Sequence, residues 1–176
     1  MRTTLTSPDP LEAPATIAEV KTQARIDHSA DDDRIERILD AVTERIEDRT
    51  RVALAQREFV QTIYEPRSLC LELSRAPVRS VSAVTDDGTM LTAGDDYEVS
   101  GDQVTLGAAP DGPVEVTYTA GLEATASDVP ASLREALIRA VATSYEHEYD
   151  QVTGTIVTPL PPAIQSALMP YMRVRA

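Results

Sequence analysis

The chain has 176 residues, with 16 Lys or Arg against 29 Asp or Glu, so its net charge is −13. This length is enough to bury a substantial core, and a hydrophobic content of 42% excludes a disordered acidic chain. The negative charge argues against wrapping a nucleic-acid backbone, because phosphates would be repelled. The single cysteine, Cys70, excludes an internal disulfide and a multi-cysteine metal site.

The sequence lacks two features that would direct a protein to a membrane or out of the cell. The first residues contain no apolar stretch of the kind found in secretory signals. The longest unbroken apolar run, at residues 52–55, is far too short for a membrane span. We therefore expect synthesis in the cytoplasm and no membrane partner.

The N-terminal part predicts an arm followed by a first helix. Residues 1–15 contain Pro8, Pro10 and Pro14 and are assigned to a flexible arm. Thr16 and Glu19 have the spacing of a capping box, which predicts a helix that begins at Ile17 and ends near residue 26.

The second helix has the clearest pattern in the chain, with carboxylates in its first turn that complement the helix dipole. Apolar residues recur at helical spacing at Ile35, Ile38, Leu39, Val42, Ile46 and Ala53. Charged residues fill the other face, which we expect to lie in water: Arg34, Glu36, Arg37, Asp40, Glu44, Arg45, Glu47, Asp48 and Arg49.

From about residue 57 the apolar period changes to that of strands. Six short β-forming segments, at 59–64, 69–73, 78–84, 95–99, 103–106 and 114–119, alternate with turn signals such as residues 86–88. A helix is predicted to begin after Pro130 and to end near residue 149, and Pro161 and Pro162 open a last short helix.

The order of elements predicts an α+β fold, with a helical core of about four helices, an inserted small antiparallel β module and an extended C-terminal arm. The predicted organisation is a flexible arm at 1–15, a helical core at 16–56 and 128–150, the β module at 57–127, and a docking arm with a short helix at 151–176.

Charge is distributed unevenly along the chain. Between Arg79 and Arg134 there is no basic residue but there are ten acids, so the β module is strongly negative. A solvated surface explains this, as does a surface that lies near DNA without binding it. Residues 151–176 contain no acid, four prolines and two arginines, which favours docking on the protein's own core or on a partner.

Residues for catalysis are few. His28 falls in a turn between helices, and His147 lacks the second histidine four residues away that a zinc-protease helix requires. Cys70 has no basic neighbour on its strand that would activate its thiol as a nucleophile. By elimination, the chain is interpreted as a structural or interaction protein that needs no cofactor.

Several segments, in this order, resemble the head–tail connector (adaptor) proteins of long-tailed phages and phage-derived gene transfer agents. They are DDDRI at 31–35, IEDRT at 46–50, ALAQ at 53–56, LCLELSRAPV at 69–78, VTYTAG at 116–121, DVP at 128–130, LPPAI at 160–164 and LMPYMR at 168–173. The final segment departs from the family, which usually carries Leu-Leu before the Tyr and an Arg directly after it.

The resemblance implies a virion structural protein at the head–tail junction, without enzymatic activity. It implies a ring, commonly of twelve copies, beneath the portal protein, with a neck, tail-terminator or stopper protein on the other side and DNA passing through the middle. The C-terminal segment would dock on the portal through Ile156, Val157, Leu160, Ile164, Leu168, Tyr171, Arg173 and Arg175. Neighbouring copies would meet through Arg34, Arg37, Glu44, Arg45, Asp48 and Arg49.

Two alternatives remain open at this stage. A small acidic ligand- or glycan-binding module would need an aromatic-lined cleft, for which Tyr64, Tyr97 and Tyr118 are the available residues. A metal-dependent hydrolase would use His147 and neighbouring carboxylates. Phage and gene transfer agent are equally compatible with the sequence.

Overall fold

The computed structural model describes residues 2–9 and 11–150, which form two compact units. The β unit comprises Arg51–Ala124 and the described residues of Met1–Pro10. The helical unit comprises Leu11–Thr50 and the described residues of Thr125–Ala176. The predicted α+β class is confirmed, with three α-helices in the described part. The predicted last short helix lies outside the described residues.

The helical unit contains α1 (Ile17–Ala24), α2 (Asp32–Thr50) and α3 (Ala131–Asp150), and a 3-10 turn at Ala126–Asp128 precedes α3. All three helices pack against one another. One side of α2 is buried, and it consists of Ile35, Leu39, Val42, Thr43, Ile46, Glu47 and Thr50. The two threonine hydroxyls on this side donate to backbone carbonyls one turn earlier, at 2.7 and 2.8 Å, so they enter the core without an unsatisfied donor.

The start of α1 confirms the predicted capping box. The Thr16 hydroxyl accepts the backbone N–H of Glu19 at 3.3 Å, and the Glu19 carboxylate accepts the N–H of Thr16 at 2.8 Å. The helix ends at Ala24, and the capping residue Arg25 follows in the left-handed conformation (φ 55°), with its N–H bonded to carbonyls of the last turn.

The β unit contains two antiparallel sheets instead of the single module that the strand pattern indicates. The larger sheet has the strand order β1-β2-β8-β4-β5, and the smaller has the order β3-β7-β6. The strands are β1 (Arg2–Thr6), β2 (Arg57–Tyr64), β3 (Cys70–Glu72), β4 (Val78–Asp86), β5 (Thr89–Met90), β6 (Tyr97–Ser100), β7 (Gln103–Leu106) and β8 (Val114–Ala120).

The turn predicted at residues 86–88 joins β4 to β5. Asp86 pairs with Thr89, so the loop consists of Asp87 (φ 45°) and Gly88 (φ 81°). Positive φ at both positions is the requirement of a two-residue type I′ hairpin, which explains the Asp-Gly pair.

One apolar cluster forms the core of the β unit. Alternate residues of β2 and β8 point into it, and the Phe59 and Tyr118 rings stack with centroids 5.8 Å apart. The smaller sheet contributes Leu71, Val104 and Leu106 from its inner face. The polar side chains of β3 and β7 therefore point outward.

The N-terminal segment differs from the flexible arm expected at 1–15. Residues 2–6 form β1, paired with β2 from Arg2 opposite Tyr64 to Thr6 opposite Val60. The Ser7 hydroxyl then donates to the Glu58 carbonyl at 2.7 Å. The Thr-rich stretch has high β propensity and its prolines come only after the strand, so they do not prevent pairing.

The end of α2 also differs from the sequence-based boundary at residue 56. The helix ends at Thr50, and Arg51 follows in the left-handed region (φ 59°). Residues 52–55 then join the β unit through bridges from Val52 to Ala76 and from Ala55 to Glu123. The apolar run that includes Ala53 therefore belongs to the β unit and does not extend the helix.

Candidate interaction surfaces

The six predicted inter-subunit residues all lie on α2, on the side opposite its buried face. Five of them are exposed, namely Arg37, Glu44, Arg45, Asp48 and Arg49. Arg34 is half-buried, because its guanidinium lies over the ring of Tyr145, 4.9 Å from the centroid. The structure thus brings the five exposed residues together on one mixed-charge surface, and it places Arg34 at its edge.

Glu47 corrects the expectation that the whole charged set of α2 lies in water. This residue is only 1% exposed. It lies four residues after Thr43 and three before Thr50, both of which are buried, so helical geometry places it at the margin of the buried side.

The start of α2 is held by carboxylates with local partners. Asp31 accepts a hydrogen bond from the Tyr145 hydroxyl at 2.7 Å, and the His28 Nδ1 atom lies 3.9 Å from the same carboxylate. The Lys21 ammonium lies 2.7 Å from Asp32. The acidic run at 31–33 therefore connects α2 to both other helices of its unit, in addition to complementing the helix dipole.

The predicted portal-docking surface lies outside the described residues. It consists of Ile156, Val157, Leu160, Ile164, Leu168, Tyr171, Arg173 and Arg175. This surface stays a prediction from the sequence.

The acids of the β unit divide into two groups. Asp86, Asp96 and Asp102 accept hydrogen bonds from backbone N–H groups of nearby loops, at 2.8 to 3.0 Å. These three stabilise the loops that connect the strands. The second group is exposed to solvent and gives the unit its negative surface: Asp87, Asp95, Glu98, Asp111 and Glu115.

The three tyrosines proposed for an aromatic cleft do not form one. Tyr118 is fully buried and Tyr97 is 7% exposed, so both belong to the core. Tyr64 is 37% exposed, and the Arg2 guanidinium lies 5.4 Å from its ring centroid. The ligand-binding alternative therefore loses the residues that it required.

The described residues offer little for metal or thiol chemistry. Cys70 is exposed on β3, and its Sγ atom lies 3.2 Å from the side-chain oxygen of Gln103. Within 2–9 and 11–150 no three His, Cys, Asp or Glu side chains are grouped so that they could hold a metal ion. The His147 side chain lies outside the described set. No helix in the described part is both long and apolar enough to cross a membrane.

A shallow cavity of about 530 Å³ lies within the helical unit, between the segment before α1, the 3-10 turn and Arg134. Two of its charged groups, Arg134 and Glu19, are partners. Arg134 lies 3.8 Å from the Glu19 carboxylate and donates to the Ser127 carbonyl. Hydrogen bonds from the Thr16 backbone and hydroxyl lower the pKa of Glu19 below its usual value.

The sequence analysis missed a buried polar network in the β unit. Gln61 is 1% exposed, and its Oε1 atom accepts the Ser74 N–H at 2.7 Å while its Nε2 atom donates to the Glu72 carbonyl at 2.9 Å. The Tyr118 hydroxyl accepts the Arg75 N–H at 3.2 Å and donates to Gln61 at 3.4 Å. Burial raises the pKa of Tyr118 to about 12.

The sequence did contain one sign of this network, namely the position of Gln61 among the alternating residues of its strand. Phe59 and Ile63, two residues before and after it, are inward-facing, so a period of two places Gln61 in the core. A buried amide requires hydrogen-bond partners, which here come from the last residue of β3 and from the segment that follows it.

Comparison with known proteins gives one family match. The model of phage gp6-like head-tail connector proteins matches residues 14–83, from just before α1 into β4. No curated protein matches the chain in sequence.

Solved structures match over almost the whole chain. A chain described as the neck of an empty gene transfer agent particle, computed with C6 symmetry, has a TM-score of 0.75 at 23% identity and covers 98% of this chain and 97% of its own. A chain from the virion of a native gene transfer agent particle scores 0.74 at 24% identity, with 98% and 96% covered. A third, from the neck of a native particle computed with C12 symmetry, scores 0.68 at 24% identity, with 98% and 97% covered.

The two comparisons are consistent with each other. The described fold, a three-helix unit with a two-sheet β unit, is shared with the gene transfer agent chains. The resemblance to head–tail connectors that the sequence indicates is confirmed by the gp6-like family match at residues 14–83.

Proposed function

We propose that the chain is a structural connector at the head–tail junction of a tailed phage or gene transfer agent particle. The observation that carries the proposal is the shared fold, with a TM-score of 0.75 over 98% of the chain, to a protein described as part of a particle neck. The family match to head-tail connectors supports the same role independently. The protein would be made in the cytoplasm of the bacterial host and act in the virion without catalysis.

The proposal includes a ring of twelve copies beneath the portal protein. The particle necks that contain similar chains have C6 or C12 symmetry, both of which are compatible with twelve copies. The exposed surface of α2 mixes Arg37, Arg45 and Arg49 with Glu44 and Asp48. Such a surface suits a head-to-tail contact, in which positive and negative groups of adjacent copies meet.

The C-terminal segment is the proposed portal contact. Residues 151–176 lack any acid and end in Arg173 and Arg175, on a chain whose net charge is −13. An apolar, basic segment is suited to docking on another protein. The opposite side of the ring would receive a stopper or tail-terminator protein.

The exposed acids of the β unit support passage of DNA without binding. DNA affinity grows with the number of phosphates that basic residues neutralise, so a negative channel wall lets the duplex slide. From Arg79 to Arg134 the sequence has no basic residue, and Asp87, Asp95 and Glu98 are exposed. A ring whose channel proves to be lined with arginines would contradict this part of the proposal.

Co-sedimentation with portal rings tests the proposal. Full-length protein should sediment with the rings, whereas a chain ending at Asp150 and the full-length variant Leu168→Ala/Tyr171→Ala should not. Met90→Ala is the matched control, because it removes an exposed apolar side chain of the β unit (66% exposed) and should leave binding intact. Binding that survives both changes would move the contact away from the arm. No binding by the full-length protein would contradict the connector role.

A second variant tests the α2 surface. Arg37→Glu/Arg49→Glu reverses two exposed charges, for which the described residues provide no ion-pair partner. The number of copies per portal ring should fall below twelve, while Arg67→Glu, in an exposed loop of the β unit, should leave the number unchanged. An unchanged number in the α2 variant would exclude this surface as the subunit contact.

A further inference from the structure

The larger sheet of the β unit ends in two unpaired strand edges among the described residues. At one end, β1 pairs only with β2. At the other end, β5 covers β4 only opposite Thr85 and Asp86. Residues 79–83 of β4 thus have β8 on one side and no strand on the other.

We propose that β1 of one copy adds, antiparallel, to residues 79–83 of β4 in the adjacent copy, so that the sheet continues from subunit to subunit. The inference rests on the ring of the proposed function and names a contact within it. The two edges lie at opposite ends of one sheet, so each copy donates one edge and accepts one. Such head-to-tail contacts repeat and can close into a ring.

The open stretch of β4 is as long as the strand that would fill it. Its lower limit is Val78, whose N–H donates to the Asp102 carboxylate at 2.8 Å. Its upper limit is Val84, whose carbonyl accepts the N–H of Leu91 at 2.9 Å. Five residues lie between them, a span of about 17 Å at the usual rise per residue, which accommodates the uncharged residues 3–6 of β1.

Apolar side chains at the two edges set the register. Leu5 on β1 and Val81 on β4 are each partly buried and pack against the same hydrophobic cluster from opposite ends of the sheet. Because both point to the core face, an added strand would place Leu5 of one copy opposite Val81 of the next. The apolar face would then continue across the subunit boundary, and both side chains would lose their remaining exposure to water.

Charge selects the antiparallel direction. With Leu5 opposite Val81, an antiparallel strand places residues 3–6 opposite residues 83–80, and Arg2 then extends past the last open position to the β5 end, beside the exposed carboxylates of Asp87 and Asp111. A parallel strand would bring Arg2 next to Arg79. Electrostatic attraction therefore favours the first arrangement and repulsion opposes the second.

The edge of β1 also lacks the usual protection against strand addition. Natural edge strands are commonly protected by charged residues, prolines or bulges. Residues 3–6 of β1 carry no charge and no proline, and the pairing with β2 has no register shift. By contrast β4 has two register shifts toward β8, which increase the local twist of its edge.

Cysteine cross-linking on portal-bound protein tests the inference. In a Cys70→Ser background, Thr4→Cys is combined with Ser82→Cys, its partner in the antiparallel register, or, separately, with Ser80→Cys, its partner in the parallel register. Within one chain β1 and β4 are separated by β2 and β8, about 14 Å at the usual strand spacing, which is beyond the reach of a disulfide. Any disulfide between these positions therefore joins two chains.

The expected result is a ladder of dimers and higher species from the Ser82 pair on a non-reducing gel, lost on reduction, whereas a ladder from the Ser80 pair alone would overturn the antiparallel contact. Thr4→Cys with Thr62→Cys is the intrachain control, because these residues are direct partners in the β1–β2 pair, and it should run as a monomer. Thr4→Cys with Glu98→Cys, an exposed position on the other sheet, should give no ladder. Arg2→Glu should reduce the ladder, and Arg2→Glu/Asp111→Arg should restore it.

The possible failures are distinguishable. Portal rings that bind the cysteine variants but yield no ladder from either pair would overturn the edge contact and leave the connector role intact. Failure of the wild-type chain to bind portal rings would overturn the connector role and this inference with it. Thermal midpoints equal to that of wild type establish that the variants are folded.

Discussion

Replacing Gln61 with Leu should destabilise the β unit through its backbone partners. The amide of Gln61 satisfies the N–H of Ser74 at 2.7 Å and the carbonyl of Glu72 at 2.9 Å, and the residue is 1% exposed. Leucine has similar volume but cannot form either hydrogen bond. Removing one partner of a buried hydrogen bond costs about 1–3 kcal/mol for each bond, and the apolar side chain offsets about 1 kcal/mol of this. We expect the free energy of unfolding to fall by about 3 kcal/mol.

Urea unfolding followed by circular dichroism measures this change. Tyr118→Phe is the matched variant, because it removes only the hydroxyl that accepts the Arg75 N–H, at a cost of about 1–2 kcal/mol. The double variant should lose less than the sum of the single losses, since both side chains share the Gln61 oxygen. If Gln61→Leu unfolds at the same urea concentration as wild type, the network does not stabilise the fold as described.

The remaining predictions concern pH and two local features. Burial raises the pKa of Tyr118 to about 12 from an ordinary 10, so the stabilising effect of the protonated hydroxyl is complete below pH 10 and is lost as pH rises to 12. Over this range the free energy of unfolding should fall by about 2–3 kcal/mol in wild type but not in Tyr118→Phe. Equal alkaline profiles of the two proteins would contradict this prediction. Gly121→Ala places a Cβ in steric conflict with backbone atoms of Gln56 and should prevent normal folding, whereas Gly88→Ala, with φ 81° but open space around the new Cβ, should cost only about 1 kcal/mol in thermal unfolding. Thr16→Ala should cost about 1 kcal/mol through loss of the cap, and its largest effect should appear at neutral pH. The lowered pKa of the capping carboxylate means that its contribution is present above the unfolded-state pKa and is lost on acidification, so wild type and Thr16→Ala should converge in acid.

Local signals in the sequence were enough to predict most elements of the fold. The capping box at Thr16 and the Asp-Gly turn at residues 87–88 each depend on a few adjacent residues, and both were placed correctly. The side of α2 that is buried also followed from helical spacing. Such features need no knowledge of what lies far away in the chain.

The errors occurred where distant residues decide the outcome. Residues 2–6 form a strand because β2, more than fifty residues later, offers an edge to pair with. Residues 52–55 leave the helical pattern because their bridge partners lie near residues 76 and 123. The burial of Glu47 and of Gln61 likewise depends on tertiary context, which a periodic pattern does not contain.

The candidate surfaces were predictable only in part. The exposed charges of α2 follow from its period, and five of six predicted residues lie on one exposed side. The open edges of the larger sheet were not predictable, because the strand order β1-β2-β8-β4-β5 is not written in the sequence order of the strands. The proposed portal-docking residues, all beyond 150, stay predictions from composition.

Particle assembly in cells that lack this chain tests the central claim most directly. If the protein connects heads to tails, electron microscopy of lysates should show filled or empty heads and separate tails, and expression of the chain in trans should restore joined particles. The Met90→Ala variant should restore them equally well. Intact tailed particles formed in the absence of the chain would contradict the connector role.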